Sequence, residues 1–324
     1  MNRATRLSLF EGISLPNGGL ALTHLCYADD VIFMGLWSKK NALNLKRILR
    51  CLYIVSGLKV NLSKSSVMGV NVVDERVGAM ADLLGCKTGS IPFNFLGLPV
   101  GENMKRIKPW KQLIDKFANK LSSWKARLLS MGGRITLAKA VLENLPAYLL
   151  YLYKASLKVI KTLEGIRRDF VWGKNGSRNK MRWVAWSKVQ ASKRMGGLGL
   201  GDIKYLNWAF LFKWMWRIKS FPNQFWSKVI RAIHNIDNFE QELGFKAGKS
   251  GCWKDILSIS KDMEKAGVTE AERLGISGGD MVQSSFSVAD FRLALTEKLG
   301  RKVEVGGFNW NGWAPNKVLY FVWN

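Results

Sequence analysis

The first hundred residues alternate short apolar runs with glycines and polar turns. The runs "LALTHLCYA", "VIFMGL", "LKVNLS", "SVMGVNV" and "NFLGLPVG" have the length and the residue types of β-strands. One stretch differs. In "KKNALNLKRILRCLYIVSG", residues 39–57, apolar side chains recur at helical spacing until Gly57, a residue typical of helix ends. The pattern predicts an α+β unit made of strands and one helix.

Helical spacing takes over from about residue 104. Apolar side chains keep this spacing between Trp110 and Leu128, and lysines and arginines fill the positions between them. The pattern predicts further helices over about 134–145, ended by Pro146, and over 157–171 and 203–219. After residue 220 it loosens into glycine-rich stretches. We therefore predict an α+β fold with three domains, which are residues 1–103, 104–220 and 221–324.

The excess of basic residues narrows the classes of molecule that the protein could bind. The chain carries 50 Lys+Arg against 24 Asp+Glu, a formal net charge of +26. Residues 101–220 contribute +20 of this total, against +5 from residues 1–100 and +1 from residues 221–324. An excess of this size favours a polyanion, either nucleic acid or an anionic membrane. No uncharged run approaches the roughly 20 residues that a spanning helix needs, so we expect nucleic acid and no membrane.

The spacing of the cysteines and histidines indicates the cellular compartment of the protein. The four cysteines are scattered without a Cys-x-x-Cys pair, and the two histidines lie far apart in the sequence. No signal peptide is recognisable, because Glu11 interrupts the N-terminal apolar stretch. These features are typical of a reduced intracellular protein without a zinc site, and they leave nucleus and cytoplasm open as locations.

Two adjacent aspartates, Asp29 and Asp30, interrupt the apolar run "LTHLCYADDVIFMG" where a hairpin would reverse. Two neighbouring carboxylates repel each other unless a cation lies between them. Mg²⁺ suits such a pair, since it takes one or two protein carboxylates together with water and substrate phosphates. The alternative interpretation is a polar hairpin turn, and the dipeptide alone favours it.

The neighbouring residues favour the metal-binding interpretation. "YADD", residues 27–30, resembles the catalytic hairpin of reverse transcriptases. The later segments keep the order found in plant non-LTR, LINE-type retrotransposons: "SGLKVNLSKSSVMG", "FNFLGLPVG", "KLSSWKARLLSMGGRITLAKAVLENLPAYLLYLYKAS", "IRRDFVWG" and "GGLGLGDIKYLNWAFLFKW". The resemblance covers nearly the whole chain. It implies the palm end and the helical thumb of an RNA-directed DNA polymerase.

The resemblance also implies roles for single residues. Asp29 and Asp30 would be the catalytic carboxylates that bind Mg²⁺, with Mn²⁺ as the alternative ion, and Tyr27 would lie beneath the primer end. Lys64, in "NLSKS", would be a catalytic residue near the incoming dNTP, as a charge partner or a proton donor to pyrophosphate. The alternative for Lys64 is a solvated lysine in a turn.

A second hairpin would grip the primer strand. Its implied residues are Phe95, Leu96 and Gly97 of "FLGLPVG", where Gly97 and Gly101 would allow backbone to approach backbone closely. The alternative is an ordinary strand that Pro99 ends.

The basic helical segment corresponds to the thumb, which binds an RNA template and RNA/DNA or DNA duplex through phosphate contacts. The tryptophans of the helical region keep helical spacing, and we expect them in the core rather than stacked on bases. The candidate phosphate-binding residues are Lys105, Arg106, Lys108, Lys111, Lys120, Lys125, Arg127, Arg134 and Lys139.

Several parts of the family pattern are absent from the sequence. The family's third metal-binding aspartate lies well upstream of the hairpin, and only Glu11 precedes Asp29 as an acid. The nucleotide-binding fingers are also absent. We therefore expect the chain alone to bind nucleic acid better than it polymerises. A separate chain that carries the missing palm and fingers is one alternative, and a non-enzymatic basic RNA- or DNA-binding protein derived from a retroelement is another.

The C-terminal segments "FSVADFRLAL" and "WNGWAPNKVLYFVWN" resemble the start of the zinc-binding module that follows these polymerases in plants. The sequence ends before the cysteines and histidines of that module, so we expect no zinc. A metal-dependent phosphodiesterase that uses Asp29 and Asp30 would need a further His, Asp or Glu cluster, which the sequence lacks.

Overall fold

The computed structural model of the chain describes residues 1–16, 19–121, 128–173, 184–236, 251–269, 272–273 and 286–300. The chain divides into two compact units. The first unit is Met1–Glu102 with Asn223–Phe239, and the second is Asn103–Pro222 with Glu240–Asn324. Over the described residues the fold is α+β and rich in helix, which confirms the predicted fold class. The division into three domains stays a prediction beside these two units.

The described secondary structure consists of short strands and of helices from one to five turns long. The strands are β1 (Ile13–Ser14), β2 (Ala21–Leu22), β3 (His24–Tyr27), β4 (Asp30–Phe33), β5 (Ser66–Val67), β6 (Lys87–Thr88), β7 (Phe93–Phe95) and β8 (Leu98–Val100). The helices are α1 (Asn2–Arg6), α2 (Lys39–Ser56), α3 (Asp74–Leu84), α4 (Lys111–Lys120), α5 (Met131–Asn144), α6 (Ala147–Leu150), α7 (Leu157–Val171), α8 (Trp186–Gln190), α9 (Ile203–Ser220), α10 (Phe225–His234), α11 (Cys252–Lys265) and α12 (Val288–Leu299).

The strands of the first unit pair two by two. Strands β1 and β2, β3 and β4, and β7 and β8 form antiparallel pairs, and β5 and β6 form a parallel pair. Helix α3 connects the parallel pair, and α2 packs against α3. The described residues therefore form several small ladders and no extended sheet.

Helix α2 has the predicted bounds because both of its ends are capped. The Ser38 side chain accepts a hydrogen bond from the Asn41 amide, 3.1 Å away, and Gly57 ends the helix with a left-handed φ of 73°. The buried Asn41 side chain also binds the main chain of Glu11, since its Nδ2 donates to the Glu11 oxygen and its Oδ1 accepts from the Glu11 nitrogen, both at 2.8 Å. Thus α2 fixes the N-terminal segment.

Two predictions about the first unit are wrong. The run "LKVNLS", residues 58–63, is not a strand but leads into a turn, because the Asn61 side chain accepts hydrogen bonds from Ser63 Oγ and from the Lys64 amide. The prediction of one helix over residues 1–103 is also wrong, because α1 and α3 form there besides α2. The longer of these two additional helices is α3. Asp74 and Glu75 in its first turn and Gly85 at its C-terminal cap were the available signals.

The second unit is built around α9. This helix packs against α12, α11, α6 and α7, and most of its side chains are buried. Predicted helices over 157–171 and 203–219 are confirmed as α7 and α9. Trp110, Trp208 and Trp216 are buried, as their helical spacing predicts, whereas Trp124 lies outside the described residues.

A buried ion pair connects α7 to the glycine-rich segment before α9. Arg167 is fully buried, and its Nη1 donates to Glu164 Oε1 at 2.8 Å. The same guanidinium donates to the main-chain oxygen of Leu200 at 3.0 Å and to that of Gly201 at 3.1 and 3.2 Å. Burial lowers the pKa of Arg167 to about 10, and the charge of Glu164 opposes this shift.

Glu164 extends the connection to two more elements. Its Oε2 accepts a hydrogen bond from Trp186 Nε1 at 3.0 Å, and its Oε1 accepts one from the Ile203 amide at 2.9 Å. Trp186 begins α8 and Ile203 begins α9. A single carboxylate therefore holds together α7, α8 and the first turn of α9.

Asn207 makes a second buried connection, from α9 to the last residue of α6 and the segment that follows it. Its Nδ2 donates to the oxygens of Leu150 and Tyr153, at 2.7 and 2.9 Å, and its Oδ1 accepts from the Ala155 amide at 3.0 Å. The side chain is 1% exposed, so these three bonds satisfy polar main-chain groups that would otherwise be buried without partners.

We expect Arg167→Ala to destabilise the protein by about 3–5 kcal/mol, because the substitution leaves Glu164 and two main-chain oxygens buried without their cation. Urea unfolding followed by circular dichroism measures this change. Lys158→Ala is the matched control, since it removes an exposed lysine from the same helix and should cost less than about 0.5 kcal/mol. Equal losses in the two variants would contradict the structural role of Arg167.

Candidate functional site

The two aspartates lie at the end of the β3–β4 hairpin, where the sequence predicts them. Tyr27 pairs with Asp30 as the last residues of the ladder, and Ala28 and Asp29 form the two-residue turn between them. Ala28 has a left-handed φ of 48°, a conformation that costs an alanine about 1–2 kcal/mol. Ala28 adopts this unfavourable conformation in the hairpin, and the resulting turn places Asp29 at its tip.

The register of the hairpin decides which side chains share a face. Directly paired residues lie on the same face of an antiparallel ladder, so Tyr27 and Asp30 share one face with Leu25 and Ile32. Asp29, Asp30 and Tyr27 are all exposed, and Tyr27 keeps 65% of its surface in solvent. The carboxylates are therefore accessible acceptors for a cation or for a ligand that a cation brings.

The described residues offer a metal ion two carboxylates and no third ligand nearby. Within the part of the chain that the structure describes, no three His, Cys, Asp or Glu side chains come together. Asp29 and Asp30 suit Mg²⁺, which takes one or two protein carboxylates and fills its other positions with water or phosphate oxygens. The donor set fits an ion that a substrate helps to hold.

Lys64 lies in the turn at residues 62–64, and its side chain is exposed. Its amide donates to the Asn61 main-chain oxygen and to Asn61 Oδ1, both at 3.2 Å, which fixes the backbone and leaves the ammonium group in solvent. The geometry suits either predicted role, a partner of the dNTP or a solvated turn lysine.

The β7–β8 hairpin contains the predicted primer-binding residues. Phe95 ends β7, and Leu96 and Gly97 form the turn with left-handed φ angles of 51° and 77°. Two positive φ angles characterise the tight hairpin turns that favour glycine. A Cβ on Gly97 would meet no described atom of the protein within 4 Å, so within the chain the glycine serves the φ angle, and close approach to a primer strand stays a prediction. At Gly101 a Cβ would instead meet the Ile91 side chain.

The second unit carries an exposed set of cations around the start of α4. We call it the α4 basic face, and its residues are Lys105, Arg106, Lys108, Lys111, Lys116 and Lys120. Leu113 and Phe117 of α4 are fully buried, whereas Lys111, Lys116 and Lys120 of the same helix are exposed. Lys105 lies 3.4 Å from Asp255 but keeps 72% of its side chain exposed. Two further predicted residues, Lys125 and Arg127, lie outside the described residues.

Arg134 and Lys139 differ from the α4 basic face because both bind main-chain oxygens of the protein. Arg134 donates from Nε to Leu129 at 3.2 Å and from Nη1 to Val171 at 3.3 Å, and burial lowers its pKa. Lys139 Nζ donates to the oxygen of Leu198 at 2.9 Å. Both cations thus have structural partners, and phosphate binding by them stays a prediction.

The sequence reasoning missed the structural use of these cations. No local signal predicts this use, because Arg134 and Lys139 belong to "SMGGRITLAKA", Val171 to "IRRDFVWG" and Leu198 to "GGLGLGD", three segments that lie apart in the sequence. The hydrogen bonds that join them cross 37 and 59 positions of sequence, so only the folded chain reveals the pairing.

Comparison with known proteins adds two relatives from Arabidopsis thaliana. The chain is 27% identical over 173 residues to a protein named "Putative ribonuclease H protein", and this match covers 53% of the chain and 28% of the relative. It is 30% identical over 114 residues to an uncharacterised mitochondrial protein, a match that covers 35% of the chain and 74% of that relative. The chain belongs to the same family as this mitochondrial protein. No family model matches the chain.

Membrane insertion through a helix finds no support in the described part of the chain, where every helix is too short or too polar to span a bilayer.

We expect Lys139→Ala to lower the free energy of unfolding by about 1–2 kcal/mol, since it removes a charge-assisted hydrogen bond to a partly buried carbonyl. Lys111→Ala, which removes an exposed lysine of the α4 basic face, should change stability by less than about 0.5 kcal/mol. Thermal and urea unfolding of both variants measure the difference. If Lys139→Ala proves as stable as the wild type, Lys139 belongs with the exposed cations.

Proposed function

We propose that the chain is a retroelement-derived protein that binds nucleic acid. More specifically, we propose that it is the palm end and the thumb of an RNA-directed DNA polymerase of the LINE type. The observation that carries the proposal is the β3–β4 hairpin, whose two-residue turn exposes Asp29 and Asp30 directly after Tyr27. A polymerase needs such a pair of accessible carboxylates on a short, defined hairpin.

The relatives support the broader part of the proposal. A protein named as a ribonuclease H is a nucleic-acid protein by its name, and this chain is similar to 28% of its length. The segment order that resembles LINE-type polymerases supports the narrower part. The chain matches less than a third of that relative, so the proposal does not extend to the activity of the complete relative.

Mg²⁺, or Mn²⁺, would be held by Asp29 and Asp30 together with phosphate oxygens of a dNTP. When bound, the ion would supply positive charge for the triphosphate and lower the cost of deprotonating a primer hydroxyl. Tyr27 shares the face of Asp30 and would support the primer end there. Lys64 would contribute a further positive charge near the triphosphate. With two carboxylates as its only ligands from the described residues, the ion would bind weakly to the chain alone.

Nucleic-acid binding rests on electrostatics in the second unit. Residues 105–120 carry six cations and one acid, Asp115, and the cations of this stretch are exposed. Phosphate contacts require only positive charge at suitable spacing, so the α4 basic face can bind a duplex without reading its sequence. We propose a template–primer duplex as the ligand.

The salt dependence of binding tests the electrostatic part. The affinity of the chain for an RNA/DNA hybrid should fall steeply with salt, and Lys111→Glu with Lys116→Glu should reduce the log–log slope by about 1 for each lysine. Fluorescence anisotropy over a salt series measures both slopes. Lys254→Glu with Lys265→Glu is the matched control, since it changes the same charge at exposed positions of α11. Equal slopes for the two double variants would exclude the α4 basic face.

Primer extension tests the catalytic part. The chain should bind a primed RNA template yet incorporate labelled dNTP with Mg²⁺ poorly or not at all, because the described residues supply only two of the ligands that a two-ion site shares. Any incorporation should be lost in Asp29→Ala and kept in Asp82→Ala, an exposed aspartate of α3. Incorporation that survives Asp29→Ala would contradict the assignment of the hairpin.

The alternative function is a non-enzymatic, basic RNA- or DNA-binding protein of retroelement origin, in which the hairpin is only structural. The exposed cations of the α4 basic face favour it as much as they favour the thumb. Duplex binding without incorporation, unchanged by Asp29→Ala, is the result that this alternative predicts.

A further inference from the structure

The first unit contains a long stretch of sequence without an acid. Residues 31–73 carry seven lysines and arginines and no aspartate or glutamate. The net charge of +5 over residues 1–100 conceals this stretch, because the acids of those residues lie before and after it. Helix α2 contains five of the seven cations.

The five cations of α2 share one side of the helix. At about 100° per residue they fall within an arc of about 120°. The buried residues Asn41, Ala42 and Asn44 are centred on the opposite side. From Lys39 to Arg50 the helix rises by about 17 Å. We call this side the α2 basic face, and its residues, all exposed, are Lys39, Lys40, Lys46, Arg47 and Arg50.

Most of these cations have no partner inside the protein. Lys46 Nζ donates to the main-chain oxygen of Leu83 at 3.1 Å, and Arg47 Nη1 donates to Asn44 Oδ1 at 3.0 Å. Within the described part of the chain, the side chains of the other three cations make no hydrogen bond or ion pair. Their charges are therefore available to a ligand.

The arrangement is unfavourable for a helix without a ligand. The helix macrodipole disfavours cations in the first turn, where α2 begins with Lys39 and Lys40. Arg50 lies one turn from Lys46 and Arg47, and like charges at this spacing repel. Helix α11, in contrast, mixes three lysines with three acids. A solvated helix does not require charges of a single sign, whereas a bound polyanion would relieve both costs.

The α2 basic face fits the phosphates of a nucleic-acid duplex. Residues 39–50 include no aromatic side chain, so the face offers no platform on which the bases of a single strand could stack. A helix holds its cations in a fixed row, which matches the regular phosphate backbone of a duplex. An anionic bilayer would also attract these cations, but the side of α2 opposite to them is buried in the protein and cannot insert.

We propose that the α2 basic face is a second binding site for the phosphate backbone of a nucleic-acid duplex. The proposal rests on the proposed binding of nucleic acid and adds a site to the α4 basic face. Helix α2 belongs to the first compact unit and α4 to the second, so each site has its own supporting structure. The chain therefore binds two short duplexes at low salt.

The experiment counts the duplexes that the full chain binds. Native mass spectrometry at low salt should show two RNA/DNA hybrids of about 12 base pairs on each chain, a length that covers the α2 basic face. Lys39→Glu with Arg50→Glu should reduce this number to one. Arg76→Glu with Lys87→Glu is the matched control, since it makes the same change of charge at exposed positions of the first unit and should keep two hybrids. Circular dichroism should show both double variants folded.

The α4 variant separates this proposal from the proposed function. Lys111→Glu with Lys116→Glu should leave one bound hybrid, and adding Lys39→Glu with Arg50→Glu should abolish binding measured by fluorescence anisotropy. The proposal is overturned if Lys39→Glu with Arg50→Glu binds as many hybrids as its control does, even where the α4 variant loses binding as the proposed function expects. It is also overturned if this variant loses binding only to vesicles of phosphatidylserine and phosphatidylcholine in equal parts. A wild-type chain that binds no hybrid would contradict both proposals.

Discussion

The ion pair between Arg167 and Glu164 is the constraint on which the second unit depends. Burying two charges is costly unless each is paired and hydrogen-bonded. Here the guanidinium also binds two main-chain oxygens and the carboxylate also binds an indole and an amide. The charges can be satisfied only when α7, α8 and the start of α9 are all in place, so the pair specifies one arrangement of the three.

Side chains from several helices bind main-chain oxygens of the glycine-rich segment before α9, residues 198–201. Gly199 and Gly201 have left-handed φ angles of 64° and 65°, which turn successive carbonyls towards cations from different helices. Lys139 binds the oxygen of Leu198, and Arg292 joins Arg167 at that of Leu200. Part of the positive charge of this protein is thus used for folding, whereas the cations of the α4 basic face are exposed.

The first unit is organised differently. Its ladders are short, and the hairpin with the aspartates has little of its surface buried. Exposure is what a substrate-accessible carboxylate pair requires.

The sequence by itself determined the α+β class, the bounds of α2, α7 and α9, the burial of Trp110, Trp208 and Trp216 and the place of Asp29 and Asp30 at a hairpin turn. These depend on local signals, such as periodicity, caps and turn residues, which act within a few positions. Only the tertiary structure decided that Lys139 and Arg134 bind carbonyls while Lys111 faces solvent. The residues around a lysine in the sequence do not show whether it binds a carbonyl or faces solvent, because a carbonyl partner lies far away in sequence and is brought near only by packing.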